Sequence, residues 1–319
     1  MKFIEKCFEF TNYNAEIYAE KLLLYSGGKM AYRYFIKIAY NGSAYGGWQI
    51  QPNAITVQQW INDGLIAISG IKEGVAGCGR TDAGVHASIF YAHFDHEKAY
   101  LSKELEQLTY RLNRFLPQDI VAFEINPVVV GAHARYSALW RQYEYLIIRQ
   151  KDPFNFQQSY FVHDALNIEL MNSCAALLLG RHDFQCFSKV NTQVNNYLCD
   201  IQLAGWTEQD HFLKFNIRAD RFLRNMVRAV VGTLLDVGRG KVSPDEFQQI
   251  IDSHNRTKAG YSVPARGLTL TGVRYPDKLF SDKPVFFLPE SSEKIISHYY
   301  TDPEFHKGTG NESDKGADG

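Results

Sequence analysis

Apolar and polar positions along the chain alternate between two periods. Tyr34, Ile36, Ile38 and Tyr40 fall on every second position, which predicts a strand over 34–40. Thr56-Val57-Gln58-Gln59 has the form of a capping box, and Val57, Trp60, Ile61, Leu65 and Ile68 follow at helical spacing. A strand over 89–94 comes next. Leu101, Leu105, Leu108, Leu112 and Phe115 then mark a second helix that stops before Pro117, and a strand over 120–125 closes this run. A second run follows a similar course. It has a strand over 142–148, a helix over 170–179 with Gly180 as its stop, and strands over 198–203 and 212–219. A strongly apolar helix over 222–237 comes next. Ser243-Pro244-Asp245-Glu246 is a capping box with Pro at the first helical position, and the last strand covers 270–275.

Each run holds both sheet and helix, and strands often follow strands directly. The pattern therefore predicts an α+β fold in two comparable halves, 32–131 and 132–277, rather than a doubly wound sheet. Residues 1–31 read as an N-terminal extension: 15–24 has a helical pattern, Ser26-Gly27-Gly28 breaks it, and Met30 stands just before the first strand. Residues 278–319 read as a polar, acidic tail. Its end, 308–319, holds too little apolar surface to order itself.

Composition narrows the class. With 319 residues, 45% hydrophobic and 22% charged, the chain is neither collagen-like, nor a coiled coil, nor wholly disordered. No apolar run approaches the roughly 18 residues that a membrane span needs, and no secretory signal is expected. The five cysteines lack the spacing of a zinc or redox motif, so they read as reduced, buried thiols of a cytosolic protein. Net charge is −1, yet 214–241 carries seven Lys or Arg against two Asp, while 277–319 carries nine Asp or Glu against five Lys. A near-neutral mean thus hides a basic stripe, and polyanions respond to the local field.

Three segments carry candidate chemistry. Gly77-Cys78-Gly79-Arg80-Thr81-Asp82-Ala83-Gly84-Val85-His86-Ala87 suits neither a strand nor a helix interior. It is either a shaped functional loop around Asp82 and Arg80, or a Gly-rich turn closed by an Asx-type bond from Asp82. It is not a phosphate loop, lacking the Gly-Lys-Ser/Thr ending. Second, on the helix predicted over 222–237 and its approach, Arg221, Arg224 and Arg228 share one face. Such a stripe is commonly just solvated, but three arginines with no acid among them favour an anionic partner. Third, Arg141, Tyr143 and Tyr145 share one face of a strand, either to stack on bases or to form ordinary cross-strand pairs. The histidines lack metal-ligand spacing, and His182-Asp183 reads as a hydrogen-bonded structural pair.

Taken in chain order over 34–276, these segments resemble the tRNA pseudouridine synthase A family. The likeness rests on Tyr40-Asn41-Gly42, Gly47-Trp48-Gln49, the Gly79-Arg80-Thr81-Asp82-Ala83-Gly84-Val85-His86 stretch, and Leu112-Asn113 with Leu116-Pro117. It continues through His133-Ala134-Arg135-Tyr136-Ser137-Ala138, Tyr143-Glu144-Tyr145, His182-Asp183-Phe184, 222–232, and Ala265-Arg266-Gly267-Leu268. The resemblance implies the pseudouridine synthase fold, with two related sheet-plus-helix halves around a central basic cleft. It further implies isomerisation of uridine to pseudouridine in the anticodon stem-loop of tRNA, at positions 38, 39 and 40. No cofactor and no metal are implied, and the protein is expected to be a cytoplasmic homodimer without a membrane partner. By the same resemblance Asp82 is the essential residue, Tyr143 stacks on or near the target uracil, Arg228 pairs with Asp82, and Leu268 forms an apolar wall.

Chemistry agrees with these roles. A glycosidic C–N bond must break, the base must turn, and a C–C bond must form. A carboxylate able to attack the ribose or the base, or to remove a ribose proton, must be ionised. An arginine partner favours that charged form, and a guanidinium is able to grip a carboxylate through two nitrogens. Phosphate contacts from Arg80, Arg221 or Arg224 would offset the few kcal/mol needed to unstack the base. Two other readings compete: a non-catalytic RNA-binding paralogue of the same fold, and a hydrolase that breaks the same bond. A hydrolase ordinarily needs two carboxylates, and the Asp82 loop has one.

Overall fold

The computed structural model describes residues 31–72, 74–190 and 196–287. The helical pattern over 15–24, Cys7 and the 308–319 segment lie outside the described residues. The elements in chain order are β1 (Ala31–Tyr40), α1 (Val57–Ser69), β2 (Ala76–Gly77), β3 (His86–His96), α2 (Ser102–Phe115), β4 (Ile120–Pro127), β5 (Trp140–Ile148) and β6 (Tyr160–Phe161). They continue with α3 (Ile168–Ala176), β7 (Gly180–Asp183), β8 (Leu198–Gln209), β9 (Phe212–Ala219), α4 (Met226–Gly238), α5 (Pro244–Asp252), β10 (Leu268–Arg274) and β11 (Phe286–Phe287).

All the strands of the described residues form a single, mostly antiparallel sheet in the order β11-β1-β3-β10-β5-β9-β8-β7, with β4 on β1, β2 on β3 and β6 on β5. This is the α+β arrangement that the pattern predicts. Two hydrophobic clusters sit along the sheet. One gathers Tyr34, Ile36, Ile38, Phe90 and Phe94 with Ile61 and Leu65 of α1 and Leu105, Leu108 and Leu112 of α2. The other gathers Tyr145, Ile147, Phe215 and Ile217 with α3, α4 and α5. They meet where β10 runs parallel to β3, with Thr269 opposite His86 and Leu270 opposite Ala87. That seam brings the Gly-rich loop, which ends at His86, beside the second half of the chain.

Local signals set the helix ends. Thr56 caps α1, its side chain accepting from the Gln59 N–H, and Ser243 with Glu246 closes the full capping box of α5 behind Pro244. Three elements depart from the pattern. The apolar helix begins at Met226 rather than 222, because Asn225 adopts a left-handed φ of 66° and its amide donates to Ser262 Oγ at 2.6 Å. Arg221 and Arg224 therefore stand on the approaching loop, not on a helical stripe with Arg228. Within α4 every residue except Arg228 and Asp236 is buried, so it is a core helix with one cation in its first turn. Next, α3 ends at Ala176, and Gly180 uses its φ of 90° to open β7 instead of stopping the helix. Finally, residues 278–287, grouped by polarity with the tail, belong to the sheet region: Leu279 and Phe287 are buried, and Phe286–Phe287 pairs with β1.

His182 and Asp183 do not bond to each other as a pair. The His182 Nε2 contacts the Leu179 carbonyl, while the Asp183 carboxylate accepts from the Gln185 N–H and meets His254 Nδ1 at 3.2 Å. They neighbour each other on β7, where alternation sends them to opposite faces.

Candidate active site

The Gly-rich loop spans β2 to β3 and is tied down at several points. Cys78 N–H donates to the Tyr91 carbonyl at 2.7 Å, extending the β2–β3 pairing. Thr81 is buried, with its hydroxyl 2.9 Å from Tyr40 Oη and its carbonyl accepting from Trp48 N–H at 3.3 Å. His86 closes the loop. Its Nδ1 accepts from Gly42 N–H at 3.0 Å, so Nε2 carries the proton and donates to the Arg266 carbonyl at 3.0 Å. Burial lowers the His86 pKa and keeps this ring neutral.

These bonds place Asp82 half-buried at the loop apex. The backbone carbonyl of Asp82 closes the turn by accepting from Val85 N–H at 3.1 Å. Its carboxylate faces two arginines, with Arg228 Nη1 3.3 Å from Oδ2 and Arg224 Nε 3.8 Å from Oδ1. The Asx-turn reading is thus replaced by an ionic one. Arg228 is held by its own Nε, which donates to the Val263 carbonyl at 2.7 Å. The contact with Asp82 is made through Nη1, rather than through the two-pronged grip the residue type suggests. Two guanidiniums against one carboxylate leave the immediate site positive, which suits a phosphate-bearing ligand.

Tyr143 stands on β5 opposite Leu270 of β10 and Ile217 of β9. Its ring meets Phe222 edge to face at 5.1 Å. Burial first, then the neighbouring Cys78 and the Asp82 charge, push the Tyr143 hydroxyl well above its usual range, so it stays protonated. Leu268 is buried at the start of β10, opposite Tyr145. Cys78 is also buried, and burial pushes its thiol up to about 11, which makes it a poor nucleophile at neutral pH.

The fold thus brings Asp82, Arg224 and Arg228 together. Tyr143 is adjacent through Phe222, which stands on the Arg221–Arg224 loop and not on the helix predicted over 222–237. Arg80 is exposed on the loop surface, and Arg221 donates to Asn196 Oδ1 at 3.2 Å. The Val263 carbonyl that anchors Arg228 left no sequence signal, since any residue supplies a carbonyl. Among the described residues no three His, Cys, Asp or Glu side chains gather as metal ligands would. An open depression lined by Lys37, Ser88, Ile89, Phe123 and Glu124 involves none of these residues.

A family model described as tRNA pseudouridine synthase matches residues 174–276, a span that includes Arg228 and Leu268. The protein named tRNA pseudouridine synthase A of Parabacteroides distasonis is 49% identical over 248 residues, covering 78% of this chain and 98% of the relative. Its namesake in Bacteroides fragilis is 48% identical over 249 residues, with the same coverage of 78% and 98%. A more distant namesake in Acetivibrio thermocellus is 40% identical over 240 residues, or 75% and 97% of the two chains. With near-half identity sustained across almost the full length of such relatives, the chain belongs to the tRNA pseudouridine synthase A family.

Proposed function

We propose that this chain isomerises uridine to pseudouridine in the anticodon stem-loop of tRNA, at positions 38, 39 and 40, with Asp82 as the essential nucleophile or base and no cofactor. The observation that carries the reading is the Asp82 carboxylate, held at a loop apex 3.3 Å from Arg228 Nη1 and 3.8 Å from Arg224 Nε. The reaction is an intramolecular transfer. The C1′–N1 bond breaks and C1′–C5 forms, while C5 loses a proton and N1 gains one. Asp82 attacks the ribose or base, or takes a ribose proton. Arg228 holds the carboxylate in place through its Nη1 contact at 3.3 Å. Tyr143 holds the freed uracil on a face that lets it turn, its protonated hydroxyl adding no charge.

Leu268 walls the pocket, and Arg80, Arg221 and Arg224 meet the RNA backbone. In this reading the two sheet-plus-helix halves, 32–131 and 132–277, flank the RNA, and the enzyme works as a homodimer in the cytoplasm, where its substrate is. No helix of the described residues is long and apolar enough to cross a membrane. A non-catalytic paralogue would have no use for an aimed carboxylate, and a hydrolase would want a second one here. Mapping pseudouridine in tRNA from cells with and without the gene tests the proposal. Loss of the modification at positions 38–40 is expected, and an unaltered map contradicts it.

A further inference from the structure

We propose that Arg141 is a positioning residue for this isomerisation: its guanidinium fixes where the Asp82 loop stands relative to the arginine loop and the Tyr143 platform. The inference rests on the function proposed above. Arg141 is the second residue of β5, two before Tyr143 and on the same face of the strand. Its side chain binds backbone carbonyls from three separate segments. Nε and Nη2 donate to the Cys78 carbonyl at 3.3 and 3.0 Å. Nη1 donates to the carbonyls of Asp220 at 2.8 Å and Ala138 at 3.3 Å, and Nη2 also donates to the Arg135 carbonyl. Every one of these acceptors is main chain. A cation that grips carbonyls alone reports and fixes backbone position, whereas one paired to a side-chain carboxylate does not.

Two of the gripped points lead into the site. Cys78 lies four residues before Asp82. Asp220 opens the loop that carries Phe222, which packs on Tyr143, and Arg224, which reaches Asp82. Just after Cys78 the packing opens: at Gly79 an added methyl would meet nothing within 4 Å. Two hydrogen bonds from Arg141 to the preceding carbonyl add to the hold that burial of Cys78 and its N–H bond to Tyr91 provide, at the last point before the loop opens. One guanidinium thus spans both loops that converge on Asp82, and a lysine, with a single nitrogen, has no means to do so.

The test compares wild type with Arg141→Lys and Arg141→Gln on a tRNA transcript, under single-turnover conditions with enzyme in excess. That rate constant reads chemistry in the folded molecules, so partial unfolding does not imitate the effect. Loop displacement of about 1 Å predicts a rate constant lower by roughly 10²-fold in both variants, while tRNA affinity stays within about threefold of wild type. Methylguanidinium added to Arg141→Ala should restore part of the rate. An Arg141→Lys enzyme with the wild-type rate constant overturns the proposal, as does a tRNA affinity that falls in step with the rate, which would make Arg141 an RNA contact. The wild-type arm separates the two claims. No pseudouridine from wild type defeats the proposed function, whereas an active wild type with unaffected variants defeats only the role of Arg141.

Discussion

Gly47 sits outside the Asp82 loop in sequence but against it in space. Its φ is 96°, and a Cβ built there would stand 2.3 Å from the Thr81 carbonyl oxygen and 3.0 Å from the Asp82 carbonyl carbon. Relief to ordinary van der Waals separation requires the Thr81–Asp82 backbone to move by about 1 Å. A displacement of that size at reacting groups costs on the order of 10²-fold in rate. The left-handed backbone adds strain of about 1–2 kcal/mol for any residue with a Cβ. Two controls separate these effects. Gly70 has a φ of 72° with nothing within 4 Å of its Cβ position, so Gly70→Ala carries the strain without the collision. Gly79 belongs to the signature loop but has open space, so Gly79→Ala carries neither. Urea unfolding and single-turnover pseudouridine formation are measured on all three. Gly47→Ala and Gly70→Ala should both lose at least ~1 kcal/mol of stability, and only Gly47→Ala should lose the ~10²-fold in rate. A Gly47→Ala enzyme with the wild-type rate constant, or a Gly79→Ala enzyme as damaged as Gly47→Ala, would refute the reasoning.

Arg228→Lys keeps a cation but gives up either the Val263 or the Asp82 contact, a loss of about 1.5–3 kcal/mol of charge-assisted bonding. The maximal rate should drop ten- to a hundredfold by the same figure with little change in tRNA affinity, and a loss confined to affinity would place Arg228 on phosphate instead. Tyr143→Phe should keep most of the rate, since in the proposed function the face and not the hydroxyl holds the uracil; a variant reduced to the background rate would show that the hydroxyl takes part. Burial and the nearby Arg33 and Arg135 hold His133 down at about 4, and burial with Arg33 lowers His93 well below 6.5. The unfolded chain therefore binds more protons, so stability should decline as pH falls from 6.5 towards 4, and His133→Asn should flatten that decline in urea titrations across the range. Replacing Arg221 and Arg224 together should lower the salt slope of tRNA binding by roughly one to two units, and an unchanged slope would move the RNA path elsewhere.

Local signals were legible and distant ones were not. The strand over 212–219 lies where alternation puts it, and the caps at Thr56 and Ser243 form because their partners are three residues away. The start of α4 escaped because Asn225 takes its left-handed turn with Ser262, 37 residues on. The length of β3 escaped because its first residues pair with β10, far along the chain. At the site, Asp82 and Arg228 were readable as motif residues. Arg224 was singled out as a phosphate contact on a helix stripe, yet it stands on a loop and reaches Asp82. The single-nitrogen contact of Arg228 and the five hydrogen bonds of Arg141 depend on backbone carbonyls, which carry no residue identity to read.

The central claim is that Asp82 drives an isomerisation in which the uracil never leaves. Purified wild type and Asp82→Asn are each incubated with an unmodified tRNA transcript, and pseudouridine and free uracil are quantified together. Wild type should give pseudouridine without free uracil. Asp82→Asn should bind tRNA near the wild-type level and give no product, because the amide keeps the size and loses the charge. Pseudouridine from Asp82→Asn above a trace rate, or free uracil from wild type, would contradict that claim.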